Sequence, residues 1–265
     1  MEVMDTKVVT SDRVAGVARA LNLIEIITQG PVDGFTLTEL SKLIGISKSS
    51  TLALLRTLGD AGYVRTKGPG PRYLPGLALV RLGDQSRAVQ PIDEIAQSYI
   101  PALAQEIGMT IRVAINDGGR PVFISRADAP GAIRFHTMLG VREAPSVSSA
   151  GKAILANLSD EEIKAVIEET GFPARTRNSH TSMPSLLRDI NQVRSRGYAI
   201  DDEEDVEGIF CIGAAFFDHT GNCGGAISAT GIKTAARQKR TAHFGALVVK
   251  CADSITKELQ GRRAR

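Results

Sequence analysis

Apolar residues in the first third of the chain recur at helical spacing and predict three helices. In segment 13–29 they are Val14, Val17, Leu21, Ile24 and Ile27. A second helix should begin at Thr36–Glu39, which has the pattern of a capping box, and should end at Gly45. A third helix should run from Ser47 to Gly62. Two short helices joined by a tight glycine-containing turn predict a helix-turn-helix.

Two strand-like segments, 63–65 and 72–74, bracket a turn rich in Gly and Pro. They predict a β-hairpin with basic residues on both arms, the wing of a winged helix. The apolar spacing of residues 77–89 predicts a helix. We therefore expect a winged helix-turn-helix DNA-binding domain over residues 1–75 and a linker helix over residues 76–90.

The rest of the chain, residues 91–265, alternates helical patterns with apolar strand patterns. Predicted helices span 91–107, 149–157, 159–169, 184–196 and about 234–259. Predicted strands span 111–115, 121–125, 133–136, 209–217 and 223–230. Hairpin-joined strands with helices grouped between them predict an α+β fold, in which helices pack on an antiparallel sheet. Residues 1–12 are expected to be loose, and Arg262, Arg263 and Arg265 form a basic tail.

Positive charge is concentrated in the N-terminal third. Residues 1–90 hold 11 basic and 8 acidic side chains, and residues 91–265 hold 21 of each, so the whole net charge of +3 lies before residue 91. A local basic face is what duplex DNA requires, because phosphate contacts supply most of the non-specific affinity.

The first turn of the third helix carries short polar and basic groups, as the start of a recognition helix in the major groove does. Taken alone, this segment is better interpreted as a well-capped helix start. Together with the basic hairpin it predicts a DNA-binding face. Its members are Lys48, Ser49, Ser50, Thr51, Arg56, Arg65, Lys67 and Arg72.

Composition argues against several other classes of protein. The chain has no apolar run long enough for a transmembrane helix and no signal-peptide pattern, so we expect a cytoplasmic protein without a membrane partner. Three widely spaced cysteines indicate neither a disulfide framework nor a zinc motif. The acidic run 201–205 has no histidine near it in sequence, and the four histidines are scattered. We therefore expect no metal and no cofactor.

Ser149 and Lys152 match the Ser-x-x-Lys motif of serine β-lactamases, which raises an enzyme as the alternative. Lys233-Thr234-Ala235 differs by one residue from the Lys-Thr-Gly element, but no Ser-Asp-Asn element lies between the two. A basic winged helix also has no use in such an enzyme, so no catalytic residue is predicted. A DNA-binding protein without a ligand is a further alternative.

Three segments together resemble the IclR-type bacterial transcription regulators. They are residues 17–82, which include TLTELSKLIGISKSST and LRTLGDAGYV, residues 144–156 (APSVSSAGKAILA) and residues 195–231, which include RGYAIDDEE. The chain departs from the family at Ala53, where members usually have an arginine, and at Ser146 and Ser148, where members often have His and Thr.

The resemblance implies a C-terminal effector-binding domain related to GAF domains, a homodimer or tetramer, and control of binding to double-stranded operator DNA by a small metabolite. It places the effector pocket at Ser149, Ala150, Asp201, Cys211, Ser228 and Thr230. A helix start at Ser149 would bind an anionic oxygen, and Gly151 would let a ligand approach the backbone. Met138 and Leu139 would form an apolar wall. The expected effector is a short carboxylate or an aldehyde. The alternative interpretation is that Ser228 and Thr230 are ordinary strand hydroxyls and Cys211 is a core residue.

Overall fold

The computed structural model of the protein describes residues 14–88, 91–131, 135 and 138–261 of the 265. Contacts divide the chain into two compact units, residues 1–89 and 90–265. The predicted loose segment 1–12, the basic tail, His136 and most of the predicted strand 133–136 lie outside the described residues.

The first unit is a small helical domain with a three-stranded sheet. Its elements are α1 (Ala15–Thr28), β1 (Phe35–Thr36), α2 (Leu37–Ile44), α3 (Lys48–Asp60), β2 (Val64–Lys67), β3 (Arg72–Pro75) and α4 (Leu77–Ala88). The strands are antiparallel in the order β1-β3-β2. The predicted helix-turn-helix and its wing are both present.

The predicted capping box at the start of α2 is confirmed. The amide of Glu39 donates to Thr36 Oγ1 at 3.3 Å, and the amide of Thr36 donates to Glu39 Oε2 at 2.7 Å. Gly45 ends α2 in the left-handed conformation, with φ at 72°, which glycine adopts without steric cost. Local sequence therefore sets both ends of this helix.

Only part of the predicted apolar stripe of α1 is buried. Leu23 and Ile27 enter a core made with α2, α3 and the wing, whereas Val14, Val17 and Leu21 are exposed. The apolar spacing predicts that this helix forms a wall of the domain core, and the structure agrees for its second half but not for its first half. The small domain covers only the C-terminal half of α1.

The second unit, like the sequence pattern, is α+β. Its elements are α5 (Pro91–Gln97), α6 (Ile100–Ile107), β4 (Thr110–Asp117), β5 (Arg120–Ala127), α7 (Ser149–Leu155), α8 (Asp160–Thr170), α9 (Met183–Arg196), β6 (Ala199–Asp202), β7 (Ile209–Phe217), β8 (Cys223–Ile232), α10 (Ala235–Lys239) and α11 (Thr241–Glu258). Within the described residues the five strands form one antiparallel sheet in the order β5-β4-β8-β7-β6.

Each face of this sheet carries a different set of helices. Ile111, Val113, Ile212, Ile227 and Ala229 pack with residues of α5, α6 and α11 in one apolar cluster. On the opposite face, Ala114, Phe123, Ala199 and Ala226 pack with α7, α8 and α9. Side chains alternate between faces along a strand, so the same strands contribute residues to both apolar clusters.

Two predicted helices differ from the structure, and strand β6 was not expected. The helix expected over 91–107 is two helices, because Pro101 has no amide hydrogen and its ring would clash with the carbonyl of residue 97 in a continuous helix. The helix expected over 234–259 is interrupted at Arg240, whose amide closes a tighter turn on Arg237 O. Strand β6 was not predicted, since only four residues pair there.

The side chain of Lys152, in α7, is completely buried between two carboxylates. Its Nζ lies 2.6 Å from Asp189 Oδ2 of α9 and 2.6 Å from both oxygens of Glu204, which follows β6. Nε2 of His180 lies 3.4 Å from Asp189 Oδ2 and 3.7 Å from Glu204 Oε2. We call Lys152, His180, Asp189 and Glu204 the lysine cluster. It joins α7, α9 and the end of β6.

Burial and hydrogen bonding act in opposite directions on the two carboxylates. Burial raises the pKa of Glu204 above its ordinary value even though Lys152 is adjacent. Burial would also raise the pKa of Asp189, but the hydrogen bonds and charges of His180, Lys152 and Arg196 outweigh it and hold that pKa below its ordinary value. Asp189 thus stabilises the fold above the pKa it has in the unfolded chain, and that contribution is lost as the pH falls through its lower folded-state pKa.

We predict that Lys152→Met lowers the free energy of unfolding at neutral pH by about 3–5 kcal/mol, because two buried carboxylates lose their counter-charge. The deficit relative to the wild type should shrink as the pH falls from 8 to 5. In the variant, both carboxyl pKa values are raised in the folded state, so protonation there relieves the repulsion. Urea unfolding followed by circular dichroism at several pH values measures this difference.

Lys164→Met is the matched control, since Lys164 is a helical lysine with 68% of its side chain exposed and only a 3.9 Å contact to Glu168. Its effect should stay below about 0.5 kcal/mol. A Lys152→Met protein as stable as the wild type, or one whose deficit grows at low pH, would contradict the role given to the lysine cluster.

Candidate DNA-binding face and effector site

The start of α3 presents an exposed polar surface. Ser47 caps the helix by accepting from the amide of Ser50 at 3.1 Å, and its hydroxyl also contacts the hydroxyls of Ser49 and Ser50. Lys48, Ser49 and Ser50 are exposed, as is Arg56 two turns later. These four side chains are therefore accessible at the surface, and their contact with DNA stays a prediction.

Thr51, also predicted to contact DNA, does not belong to this surface. Its side chain is fully buried, and its hydroxyl donates to Ser47 O at 2.9 Å. The expectation for Thr51 is corrected, because a side chain that faces the domain core cannot contact DNA while the helix is folded.

The wing contains three residues that were predicted to contact DNA, and two of them are exposed. Arg65 and Lys67 lie exposed on β2, although Nε of Arg65 donates to Pro75 O at 3.1 Å. Arg72 is partly buried, and its guanidinium donates to Asp33 O at 2.9 Å and to Gly34 O at 2.8 Å. The main observed role of Arg72 is therefore to fasten β3 to the loop before β1.

A row of polar side chains crosses the α7 face of the effector-domain sheet. Strand pairing aligns Thr110 of β4 with Thr230 of β8, Thr230 with Cys211 of β7, and Cys211 with Asp201 of β6. Directly opposed residues of antiparallel strands share one face. All four are buried. We call them the polar row, and it brings together Asp201, Cys211 and Thr230, as the resemblance implies.

Ser149 and Ser228 complete the predicted set beside the polar row. Ser228 lies two residues before Thr230 and thus on the same face, and its Oγ is 2.9 Å from Ser149 Oγ at the start of α7. Both side chains are completely buried. Gly213 lies opposite Ser228, and a Cβ there would come within 2.6 Å of Ser149 O, so α7 begins directly against β7.

The start of α7 differs from the expected anion site. Ser148 caps the helix and accepts from the amide of Gly151 at 3.4 Å, which uses one of the free amides. A Cβ at Gly151 would lie 2.4 Å from Cα of Pro145. Gly151 therefore accommodates the protein's own backbone, and the expectation that it admits a ligand is corrected.

Three other predicted pocket residues lie outside the polar row. Ala150 is buried in the apolar cluster of α7, α8 and α9. Met138 and Leu139 are 52% and 45% exposed, and the adjacent amide of Gly140 donates to Phe123 O. The apolar wall predicted from Met138 and Leu139 is thus a solvent-exposed segment in this structure.

Asp201 is the acidic member of the polar row. Burial raises its pKa above the ordinary value, although the amide of Glu204 donates to Asp201 Oδ1 at 2.8 Å and lowers it. Burial, followed by the charge of Asp201, also raises the pKa of the Cys211 thiol. Cys211 is therefore a neutral donor rather than a nucleophilic thiolate. The amide of Glu204 also connects the polar row to the lysine cluster.

Sequence reasoning missed Thr110, Arg112 and the lysine cluster. Arg112 lies on β4 directly opposite Ser228, and alternation along the predicted strand 111–115 could have placed it on that face. The partners of Lys152 come from loops and helices distant in sequence, so no local pattern identifies them.

The lysine cluster bears on two hypotheses from the sequence, the absence of a metal site and the β-lactamase-like enzyme. Ligand atoms of His180, Asp189 and Glu204 lie within 4.8 Å of one another, so a histidine does approach the acidic run 201–205 in space. The ammonium of Lys152 already supplies the positive charge there. Because that ammonium donates to Asp189 and Glu204, it is not arranged as a general base for Ser149, as the β-lactamase-like alternative requires.

Among the described residues, no helix has both the length and the apolar character needed to cross a membrane.

Comparison with known proteins identifies both units. Residues 16–68 match the IclR helix-turn-helix domain, and residues 86–257 match the family described as bacterial transcriptional regulator IclR C-terminal. The chain is 30% identical over 253 residues to the transcriptional repressor IclR of Escherichia coli K12, covering 95% of this chain and 92% of that protein. It is also 30% identical to the HTH-type transcriptional repressor AllR of the same strain, covering 84% and 83%.

Solved structures of IclR proteins have the same fold as this chain. The IclR protein of Thermotoga maritima has a TM-score of 0.78 at 25% identity and covers 92% of this chain and 98% of its own. An IclR homologue from Microbacterium hydrocarbonoxydans, complexed with 4-hydroxybenzoate, has a TM-score of 0.78 at 16% identity, which shows the fold alone, and covers 93% and 99%. From these matches, and from the two units that the structure contains, the chain belongs to the IclR family of bacterial transcriptional regulators and is a DNA-binding regulator with an effector domain.

Proposed function

We propose that the protein represses transcription from an operator bound by α3 and the wing, and that a small polar metabolite bound at the polar row modulates this binding. The observation that carries the proposal is the burial of hydroxyl, thiol and carboxyl groups on one face of the effector-domain sheet. Buried polar groups are costly unless they are hydrogen-bonded, so a folded chain keeps such a row where a ligand or an internal network uses it. The relatives that are named as repressors support repression, rather than activation, of transcription.

Exposed apolar residues support a homo-oligomer. Val14, which precedes α1, Val17 of α1, and Leu77 and Val80 of α4 are each more than half exposed. An exposed apolar surface of this kind indicates a protein interface, and soluble oligomers are mostly symmetric homo-oligomers. We propose that a dimer, or a tetramer made of dimers, binds the operator in the cytoplasm, where the DNA lies.

For DNA binding, we predict that Arg65→Ala combined with Lys67→Ala lowers the salt dependence of binding to any duplex. Each phosphate contact contributes about 0.9 to the slope of log K against log salt, so the slope should fall by roughly two units. Fluorescence anisotropy with a labelled duplex from 50 to 200 mM KCl measures it. Lys164→Ala, an exposed lysine of the effector domain, is the control.

An unchanged slope in the double variant would show that the wing does not contact DNA. Arg72→Ala serves a different purpose: because its guanidinium holds two carbonyls of the loop before β1, it should lower the melting temperature of the protein as well as its affinity. An Arg72→Ala protein with an unchanged melting temperature would return Arg72 to the set of direct DNA contacts.

Asp201, Cys211 and Thr230 of the polar row, and the two serines beside it, each offer a specific bond to a ligand. An ionised Asp201 accepts from a hydroxyl, Ser149, Ser228 and Thr230 donate or accept, and the Cys211 thiol is a weak donor. This set suits a short hydroxy acid, or a hydrated aldehyde that also carries a carboxylate, because both have several hydrogen-bonding groups on a small skeleton. The 4-hydroxybenzoate of the Microbacterium homologue has the same two groups on a ring, so aromatic hydroxy acids belong to the same candidate class.

For the effector, we predict that Asp201→Asn weakens effector-induced release from DNA about ten- to a hundred-fold, the loss of one charge-assisted hydrogen bond of roughly 1.5–3 kcal/mol. DNA affinity without effector should not change, since the variant keeps an oxygen for the amide of Glu204. The measurement is titration of a preformed protein–DNA complex with glyoxylate, lactate and 4-hydroxybenzoate.

Asp202→Asn is the matched control, because Asp202 is the next residue on β6, points to the opposite side and pairs with Lys233 at 2.9 Å. Identical release curves for wild type and Asp201→Asn would place the effector elsewhere. Loss of DNA binding by Asp201→Asn without effector would make Asp201 a structural residue and remove it from the site.

A further inference from the structure

The chain turns sharply after β6, and this turn brings a backbone amide to the carboxylate of Asp201. Glu203 lies in the left-handed region, with φ at 62°, and Gln260 is the one other non-glycine residue with positive φ among the described residues. A residue with a Cβ is strained there, and such strain persists where surrounding contacts enforce it. The next amide, that of Glu204, donates to Asp201 Oδ1 at 2.8 Å. The contacts that enforce the turn therefore also determine the surroundings of Asp201.

A separate segment, residues 176–179, binds the carbonyl groups of this turn. We call this segment the strap. Its side chains donate to three successive carbonyl oxygens: Asn178 Nδ2 to Asp202 O at 3.1 Å, Thr176 Oγ1 to Glu203 O at 2.6 Å, and Ser179 Oγ to Glu204 O at 2.6 Å. The strap thus supplies contacts that hold the strained turn in place.

The peptide group between Glu203 and Glu204 is hydrogen-bonded at both ends. Its carbonyl accepts from Thr176 Oγ1, and its amide donates to Asp201 Oδ1. Because a trans peptide group is planar, its C=O and N–H point in opposite directions and rotate as one unit. The hydroxyl of Thr176 therefore aims the amide at Asp201. It also strengthens that amide as a donor, since consecutive hydrogen bonds polarise one another.

Thr176 is itself held in a fixed orientation. Its Oγ1 accepts from the amide of Asn178 at 3.1 Å, so the hydroxyl hydrogen is directed to Glu203 O. Its own amide donates at 3.0 Å to Oγ of Ser179, which is buried and bonded to the turn. The position of this hydroxyl therefore does not depend on a mobile side chain.

The amide of Glu204 acts on Asp201 against the effect of burial. Burial raises the pKa of Asp201, and the amide lowers it because it bonds to the ionised form. The other groups that face Asp201 are Lys152 of α7 and the thiol of Cys211, which lower this pKa, and Asp205, which raises it. Loss of the Thr176 hydroxyl would leave these three groups in place and would change the contribution of the amide.

We infer that Thr176 is a positioning residue of the effector site, whose hydroxyl holds the amide of Glu204 on Asp201 and so keeps Asp201 an acceptor for a hydroxyl of the effector. Thr176 lies outside the sheet and the polar row, and it acts through one peptide group. The inference rests on the proposed function, in which Asp201 binds the metabolite. It extends the effector site to a segment that the ligand does not need to contact.

The first test uses full-length protein without a ligand. Thr176→Val removes the hydroxyl and keeps the shape of the side chain. Its unfolding constant, relative to that of the wild type, should be about ten-fold larger at pH 8 than at pH 5, the loss of one hydrogen bond to a charged group. The variant raises the pKa of Asp201 in the folded state, so it penalises only the ionised form, which is present at high pH. Urea unfolding followed by circular dichroism measures this ratio.

Effector binding should change with pH in the opposite direction. Asp201 accepts from a hydroxyl only when it is ionised, and in Thr176→Val it becomes protonated at a higher pH than in the wild type. Release of a preformed protein–DNA complex by glyoxylate, lactate or 4-hydroxybenzoate should therefore need up to about ten-fold more acid than the wild type at pH 6, and less than this excess at pH 8. A threonine with a purely structural role would give the same loss at both pH values.

Thr256→Val is the matched control. The hydroxyl of Thr256, like that of Thr176, bonds two backbone groups: it donates to Ala252 O at 2.9 Å and accepts from the amide of Phe217 at 3.0 Å. Its effect on unfolding should be the same at every pH. Thr176→Ser keeps the hydroxyl and should follow the wild type in both tests. If circular dichroism showed that Thr176→Val does not fold, Thr176→Ala should give the same two trends.

A double variant identifies the group that titrates. In the Asp201→Asn background, residue 201 has no charge to lose, so the effect of Thr176→Val on unfolding should no longer depend on pH. A pH-independent effect of Thr176→Val alone, or a pH dependence that persists in the Asp201→Asn background, would overturn the role of Thr176 and leave a metabolite site at the polar row. If none of the three acids released wild-type protein from DNA, the proposed function would fail and Thr176 would have no effector to serve, whatever the unfolding data showed.

Discussion

The effector domain is organised around one buried positive charge, the ammonium of Lys152. Its hydrogen bonds to Asp189 and Glu204 join α7, α9 and the end of β6. An apolar contact tolerates small displacements, but a buried ion pair does not, because each misplaced charge bears its full desolvation cost. Consequently the start of α7, with Ser149, and the loop after Asp201 have fixed positions relative to the sheet. The walls of the proposed effector site depend on this cluster although none of its members lies in the polar row.

The sheet beneath α7 holds polar side chains within the core of the effector domain. Its α11 face carries a continuous apolar cluster, whereas its α7 face is divided between an apolar part at Ala114, Phe123 and Ala226 and the polar row. Strand pairing places the polar side chains of the row next to one another, and Ser149 of α7 shares a hydrogen bond with Ser228 of β8 beside them. A ligand that enters there exchanges one set of hydrogen bonds for another. Such an exchange favours ligands with several polar groups over purely apolar ones.

The two units use charge in opposite ways. The DNA-binding unit keeps Lys48, Arg56, Arg65 and Lys67 at the surface, where water and salt screen their charges. The effector domain buries Lys152 and most of Arg112, where a charge is strong, specific and costly to leave unpaired. The net charge of each unit follows the same division, since the excess of basic residues lies in the first 90. Arg72 belongs to neither use, because its guanidinium fastens the wing to the domain.

The sequence by itself determined what depends on neighbouring residues: the capping box at Thr36, the glycine stop at Gly45, the helix-turn-helix, the hairpin strands and the α+β class. Resemblance of motifs added the set Ser149, Asp201, Cys211, Ser228 and Thr230, which the sheet does bring together. Only the tertiary structure decided that Thr51 faces inward, that Gly151 makes room for Pro145, and that Lys152 meets Asp189, His180 and Glu204. Helical and strand periodicities are short-range and can be read along a chain. Which side chain opposes which across a sheet, and which charge is buried with which, follows from strand order and helix packing, and these are set by contacts between residues far apart in sequence.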